Sequence, residues 1–174
     1  MKCFSMMWRH GLTFRREKGM IAVAILATAA FVSCFQNIDF YEYRAVNIDG
    51  WERNDFVDFH IQSAQEDGYH TEIIGVRADH TYPFKSLQLI VSQNIVSTTK
   101  VRKSVFRSDT LSVDIYDDEG MMAGSGVNLH QYEIPFKSLR LEKGDSLYMT
   151  IRHNMSRRRI KGISDVGVKI YRPH

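Results

Sequence analysis

Two stretches decide the fold: Leu147-Tyr148-Met149-Thr150-Ile151-Arg152 and Val166-Gly167-Val168-Lys169-Ile170-Tyr171. In each, apolar residues take every second position, so a strand would carry them all on one face, and a helix would scatter them around its axis. The same alternation recurs through most of the chain. Val57, Phe59 and Ile61 alternate with Asp58 and His60. Ile74 and Val76 follow Asp67-Gly68 and end at Arg77 and Asp79, while Leu87, Leu89 and Val91 alternate with Gln88 and Ile90. Leu111, Val113 and Ile115 repeat the pattern, and Phe40–Ala45 and Tyr132–Phe136 read as further strands.

The breaks between these runs are turn chemistry. Asp117-Asp118-Glu119-Gly120 and Glu142-Lys143-Gly144-Asp145 read as hairpin turns, because Gly adopts positive φ without a steric penalty and Asp bonds the nearby backbone. Pro83 and Pro135 stand where strands should begin, so their missing N–H groups cost no ladder bond. Gly124-Ser125-Gly126 reads as a flexible turn or bulge entering a strand. Short strands with one apolar face each must bury those faces against one another. The expected fold is therefore all-β, an antiparallel two-sheet sandwich of immunoglobulin-like or jelly-roll-like type over residues 40–174. Pro83-Phe84-Lys85-Ser86-Leu87 recurs as Pro135-Phe136-Lys137-Ser138-Leu139. Nothing around the two copies repeats, so they read as recurring turn-into-strand chemistry, with equivalent Greek-key corners as the competing account.

The first 33 residues follow different rules. Five of the 23 Lys and Arg lie there (Lys2, Arg9, Arg15, Arg16, Lys18) with one of the 20 acids, Glu17, leaving 18 basic against 19 acidic residues beyond. The basic character of the whole chain thus belongs to the leader, and the rest gives no charge argument for nucleic acid. Met20–Phe31 is an apolar run of signal-peptide length, shorter than the roughly 20 residues of a spanning helix. Residues 1–33 are read as a helical lipoprotein signal peptide, with an amino-terminal membrane span as the competing reading.

Phe31-Val32-Ser33-Cys34 resembles a bacterial lipobox, with Phe31 where Leu is usual. Cleavage before Cys34 would remove Cys3 and leave one thiol, which has no disulfide partner but is accounted for by palmitate-type acylation. The competing reading is an incidental cysteine near an ordinary cleavage site. Residues 34–39 then form an acylated tether, and several buried acyl chains would hold the protein to a bilayer.

Catalytic signatures are missing from the sequence. His60, His70, His80, His130, His153 and His174 make no short ligand pair and read as surface histidines. Asp114, Asp117, Asp118, Glu119 and Gly120 lack EF-hand spacing and read as a solvated acidic hairpin, with calcium as the alternative. There is no G-x-S-x-G elbow and no phosphate cradle. No residue is assigned to catalysis or to a metal, and no cofactor is implied. Two binding features stand out. Arg157, Arg158, Arg159 and Lys161, near Arg152 and His153, form a dense basic loop that could meet an acidic protein, lipid headgroups or an anionic glycan. Tyr41, Tyr43 and Trp51, with Phe56 and Phe59 nearby, could stack on sugars or fill the core.

Several segments in order resemble the gliding motility lipoprotein GldH family. They are Tyr41-Glu42-Tyr43, Gly50-Trp51 with Phe56–Ile61, Arg77, Tyr82–Leu87, Gly120, Gly124, Gly126, and Met155 through Gly162-Ile163-Ser164-Asp165-Val166-Gly167. Met121-Met122 departs from the family's aromatic, and Ser156 separates Met155 from Arg157. The resemblance implies a non-enzymatic envelope lipoprotein with protein partners in a gliding motility apparatus or its linked secretion system. It also implies a lipid-anchored position in the cell envelope. Residues 35–39 carry no acidic cluster for surface export, which favours the outer membrane facing the periplasm. A lipid-anchored glycan-binding module is the alternative.

Overall fold

The computed structural model describes residues 37–62, 64–97 and 104–173. The expected signal peptide, the lipidation residue Cys34, the start of the tether and His174 lie outside the described residues.

The described chain is all strand and turn. The strands are β1 (Asn37–Ala45), β2 (Trp51–Glu52), β3 (Val57–Ile61), β4 (Gly68–Ala78), β5 (Ser86–Val96), β6 (Ser104–Asp114), β7 (Ser125–Gly126), β8 (His130–Leu141), β9 (Ser146–His153), β10 (Arg159–Ile160) and β11 (Ile163–Arg172). One sheet has the order β1-β11-β4-β8-β7, the other β3-β9-β5-β6, and β2 pairs with β10 in a two-stranded ribbon. All pairings are antiparallel. The expected β-sandwich is the fold observed.

The alternation supplies the core directly. Phe59, Ile74, Val76, Leu87, Leu89, Val91, Val113, Leu147, Met149, Ile151, Val166, Val168 and Ile170 are buried between the sheets. Each fully buried aliphatic side chain contributes about 1.5–3 kcal/mol, set against the entropy of ordering the chain.

Three local expectations are corrected. Pro135 does not precede a strand but lies inside β8, where Thr71 pairs with Ser138 and Ile73 with Pro135, so β8 carries one extra residue. β7 covers the far side of β8 only at His130 and Gln131, so Pro135 sits at a bulge on a largely open edge, where a missing N–H is tolerated. Glu142–Asp145 is not a hairpin turn, because it carries the chain from β8 in one sheet to β9 in the other. Gly144 has φ of 91° there, and Asp145 Oδ2 accepts the Glu142 N–H at 3.0 Å. The Pro-Phe-Lys-Ser-Leu copies occupy different places, one in the loop entering β5 and one within β8.

β1 begins at Asn37, inside the segment expected to be tether. Asp39 is held there, its Oδ2 lying 3.5 Å from His70 Nε2 and 3.3 Å from Arg172 Nε.

Candidate functional site

The β2–β10 ribbon gathers most of the segments singled out in the sequence at one end of the sandwich. Gly50 has φ of 128°, and a Cβ there would lie 2.6 Å from Arg159 Cγ. A side chain is therefore excluded on both counts, and the Arg159 stem rests on bare backbone. Trp51 pairs with Ile160 and Glu52 with Arg159. Beside the ribbon, the Arg53 guanidinium donates to the Met155 carbonyl at 2.7 Å and to that of Ser156. The Tyr82 hydroxyl donates to the Ser86 carbonyl at 2.9 Å, and Met155 Sδ lies 3.4 Å from the Gln88 N–H. Gly162, with φ of 83°, packs so tightly that a Cβ would come within 2.2 Å of the Tyr82 nitrogen.

Trp51 is not available to a sugar. It is 0% exposed, donates from Nε1 to the Asp55 carbonyl at 2.9 Å, and meets the His153 ring edge-on at 5.3 Å. The ribbon turns it inward because its strand partner Ile160 is buried too, which makes the ribbon a lid on the core. Tyr43 is half-buried, with the glycines of the sheet and an arginine packed against its ring. Its ring crosses Gly167 and Gly75, which are paired across β11 and β4, and the Arg77 guanidinium covers it at 4.1 Å. Its hydroxyl is buried without a hydrogen-bond partner, and burial pushes its pKa up. Tyr41, edge-on to Tyr43 at 5.7 Å, remains 51% exposed. The three rings do not form one stacking platform.

The basic segment keeps the expected loop at Arg157, Arg158 and Lys161 and departs from it only at Arg159. Arg159 is in β10, with its guanidinium 2.7 Å from Glu52 Oε1, and Arg158 Nε lies 3.1 Å from Oε2. These hydrogen bonds, that of Arg159 first, hold the Glu52 carboxyl below the usual carboxylate range. Arg157 lies over the Phe84 ring at 5.6 Å. Lys161 is exposed and has no acidic partner among the described residues. The ribbon therefore keeps Arg157 and Lys161 as cations without an ion pair among the described residues, with Glu52 offsetting Arg158 and Arg159. Asp49, Asp55 and the exposed turn of Asp117, Asp118 and Glu119 lie at the same end. It is flanked by exposed loop tips: Ile48 and Val127, which the sequence reading did not single out, are 94% and 89% exposed, and Phe56 and Met121 are also exposed. Period-two strand patterns reveal buried faces and give no signal for apolar loop tips.

Two histidines expected at the surface are buried, His70 and His153, because each falls on an inward position of its strand. Burial lowers the His153 pKa, and its Nδ1 accepts the Met155 N–H at 3.3 Å, which assigns the ring a neutral form. Among the described residues no three His, Cys, Asp or Glu converge to hold a metal. At the opposite end an open recess is lined by Asp39, Glu42, His60, Gln62, His70 and Leu141. The sequence reading also passed over a second basic run, Lys100-Val101-Arg102-Lys103, which lies outside the described residues.

The match to the GldH lipoprotein family runs over residues 39–170, from the third residue of β1 almost to the end of β11. The chain belongs to that family. The GldH segments named from the sequence are thereby placed: Gly50-Trp51, Tyr82–Phe84 and Met155–Gly162 build the ribbon end, while Tyr43, Arg77 and Gly167 form one cluster on the outer face of the larger sheet. As a GldH-type lipoprotein it is of a membrane-anchored kind.

A comparison with curated proteins gives no match. Among solved structures, the chain is similar to BtGH115A, a family GH115 4-O-methyl-α-glucuronidase with specificity for decorated arabinogalactans. Identity is 12% and the TM-score 0.44, over 82% of this chain and 18% of that one. It is also similar to Eiger TNF from S. frugiperda, at 9% identity and a TM-score of 0.30 over 80% of this chain and 94% of that one. The chain spans less than a fifth of the glucuronidase, and at these scores neither likeness bears on activity.

Proposed function

We propose that the protein is a non-catalytic envelope lipoprotein, held to a membrane by acylated Cys34, whose sandwich docks protein partners of a gliding motility or linked secretion apparatus. The observation that carries this reading is the family match across nearly the whole sandwich, residues 39–170. The ribbon end supports it as the docking surface. Family-like segments lock it in place, and it presents Arg157, Arg158 and Lys161 beside exposed apolar tips, a combination suited to an acidic, partly apolar protein surface. The outer membrane, facing the periplasm, is the position proposed for the anchor.

In-cell cross-linking of the tagged lipoprotein, with Cys34→Ala as the unanchored control, tests the reading. Motility or secretion components captured only by the anchored form are the expected result. Capture that survives Cys34→Ala unchanged counts against anchoring as a requirement. Capture unaffected by Arg157→Glu combined with Arg158→Glu removes the ribbon from the contact.

A further inference from the structure

We infer that the end of the sandwich where β1 begins lies against the bilayer carrying the acyl chains, and that the ribbon end is turned away from it. The inference rests on the anchoring of Cys34 proposed above. Asn37, the first residue of β1, is three residues beyond Cys34. An extended chain spans at most about 3.6 Å per residue, so the anchor lies within about 11 Å of the start of β1.

The strand register says what else is at that end. Asn37 pairs with Arg172, Gly68 with Leu141, Ile61 with Leu147, and Val96 with Ser104. The four-residue link after Leu141 joins the two sheets there. β11 starts at the ribbon end and runs ten residues, Ile163–Arg172, to this one. At a rise of about 3.4 Å per residue, the two ends are about 30 Å apart.

What the anchored end exposes suits a lipid surface. Ile38 is the second residue of β1, Tyr69 the second of β4, and Val105 and Phe106 the second and third of β6. All four are exposed, Phe106 at 70%. Exposed aromatic and aliphatic side chains are costly in water and are favoured at the headgroup boundary, where apolar bodies enter and polar tips stay wet. A covalent anchor a few residues away keeps these side chains at high effective concentration over the bilayer, so weak individual contacts suffice.

The ribbon has a different partner for the same reason. Charges are screened over roughly 8 Å at physiological ionic strength, so cations about 30 Å from the anchoring leaflet do not read its headgroups. Arg157, Arg158 and Lys161 are then offered to a protein surface standing off the membrane.

The chain has two cysteines, Cys3 in the leader and Cys34, so an added cysteine is the one free thiol of the acylated mature protein. Phe106→Cys, Tyr69→Cys, Ile48→Cys and Val127→Cys change exposed positions and leave the core intact. Each purified lipoprotein is labelled with a fluorophore and reconstituted in phosphatidylethanolamine–phosphatidylglycerol vesicles containing doxyl-labelled lipid. Labels on Phe106→Cys and Tyr69→Cys should be quenched several-fold more than those on Ile48→Cys and Val127→Cys. Equal quenching at both ends, or the reverse order, in a protein whose Cys34 is acylated by mass spectrometry overturns the orientation alone. An unmodified Cys34 overturns the anchoring and the orientation together.

Discussion

Glu72 of β4 and Gln93 of β5 face each other from opposite sheets, with the Gln93 amide donating to one Glu72 carboxylate oxygen and the other oxygen buried without a partner. Burial pushes the Glu72 pKa up to about 7, against a pull downward from the Gln93 hydrogen bond and the more distant Lys137 and Arg107 charges. A carboxyl in this setting is a stability liability at high pH, and its size can be bounded.

The unfolded carboxyl ionises near 4.5 and the folded one near 7, so between these values the folded state holds the extra proton. Stability therefore falls as pH rises through that window, by at most about 3 kcal/mol at 1.36 kcal/mol per unit of pKa difference. Glu72→Gln keeps the shape and the hydrogen bond to Gln93 while removing the titration. Urea midpoints should be higher than those of the parent at pH 8 and nearly equal at pH 4. Parallel pH profiles for the two proteins would show that Glu72 does not titrate in this window.

His153 has the opposite sign. Its folded pKa is lowered from 6.5 by burial, so below about 6.5 the unfolded chain binds the extra proton and stability is lost as pH falls. In the parent protein the two groups offset each other on the acid side. His153→Phe should unmask the Glu72 slope, giving a protein whose urea midpoint rises as pH drops from 7 to 5. Glu72→Gln should unmask the His153 slope and show a fall over the same range.

Tyr43 and Gly167 are coupled through space. A Cβ on Gly167 would stand 2.7 Å from the Tyr43 ring, so Gly167→Ala must displace the ring from beneath Arg77. The expected cost is about 1–3 kcal/mol by thermal or urea unfolding, the range for overpacking a fitted contact. Tyr43→Ala in the same chain removes the obstacle, so Gly167→Ala should then be close to neutral. Additive losses in the double variant would refute the coupling.

Trp51→Ala should act through folding. A fully buried Trp leaves a cavity and an unpaired Asp55 carbonyl, at a cost of about 3–5 kcal/mol. Tyr41→Ala, at an exposed position, should leave the unfolding midpoint almost unchanged. Similar unfolding midpoints for Trp51→Ala and the parent would mean that the ribbon does not close the core.

The sandwich was legible because a strand reports its buried face through a period of two, and Leu147–Ile151 or Val166–Ile170 cannot satisfy that period as helix. The same rule places Glu72 and His153 inside, since each shares parity with apolar neighbours on its own strand. A polar residue at an inward position is easily passed over when the eye follows only the apolar ones. Turns were less legible. Gly144 and Asp145 mark a sharp bend whether the next strand pairs with the last one or crosses to the other sheet.

By itself, the sequence determined the all-β class, most strand cores and the kinship with GldH lipoproteins, because these depend on local periodicity and ordered short motifs. The tertiary structure alone decided that Trp51 seals the core, that Glu52 gathers Arg158 and Arg159, and that Tyr43 lies across two glycines under Arg77. Each of these joins residues distant in the chain, and local pattern carries no information about which strand becomes whose neighbour. Pairing across sheets is settled by burial of the whole core at once, and that global requirement decided between the sugar-stacking and core readings of Trp51 and drew Arg159 of the expected loop into a ribbon.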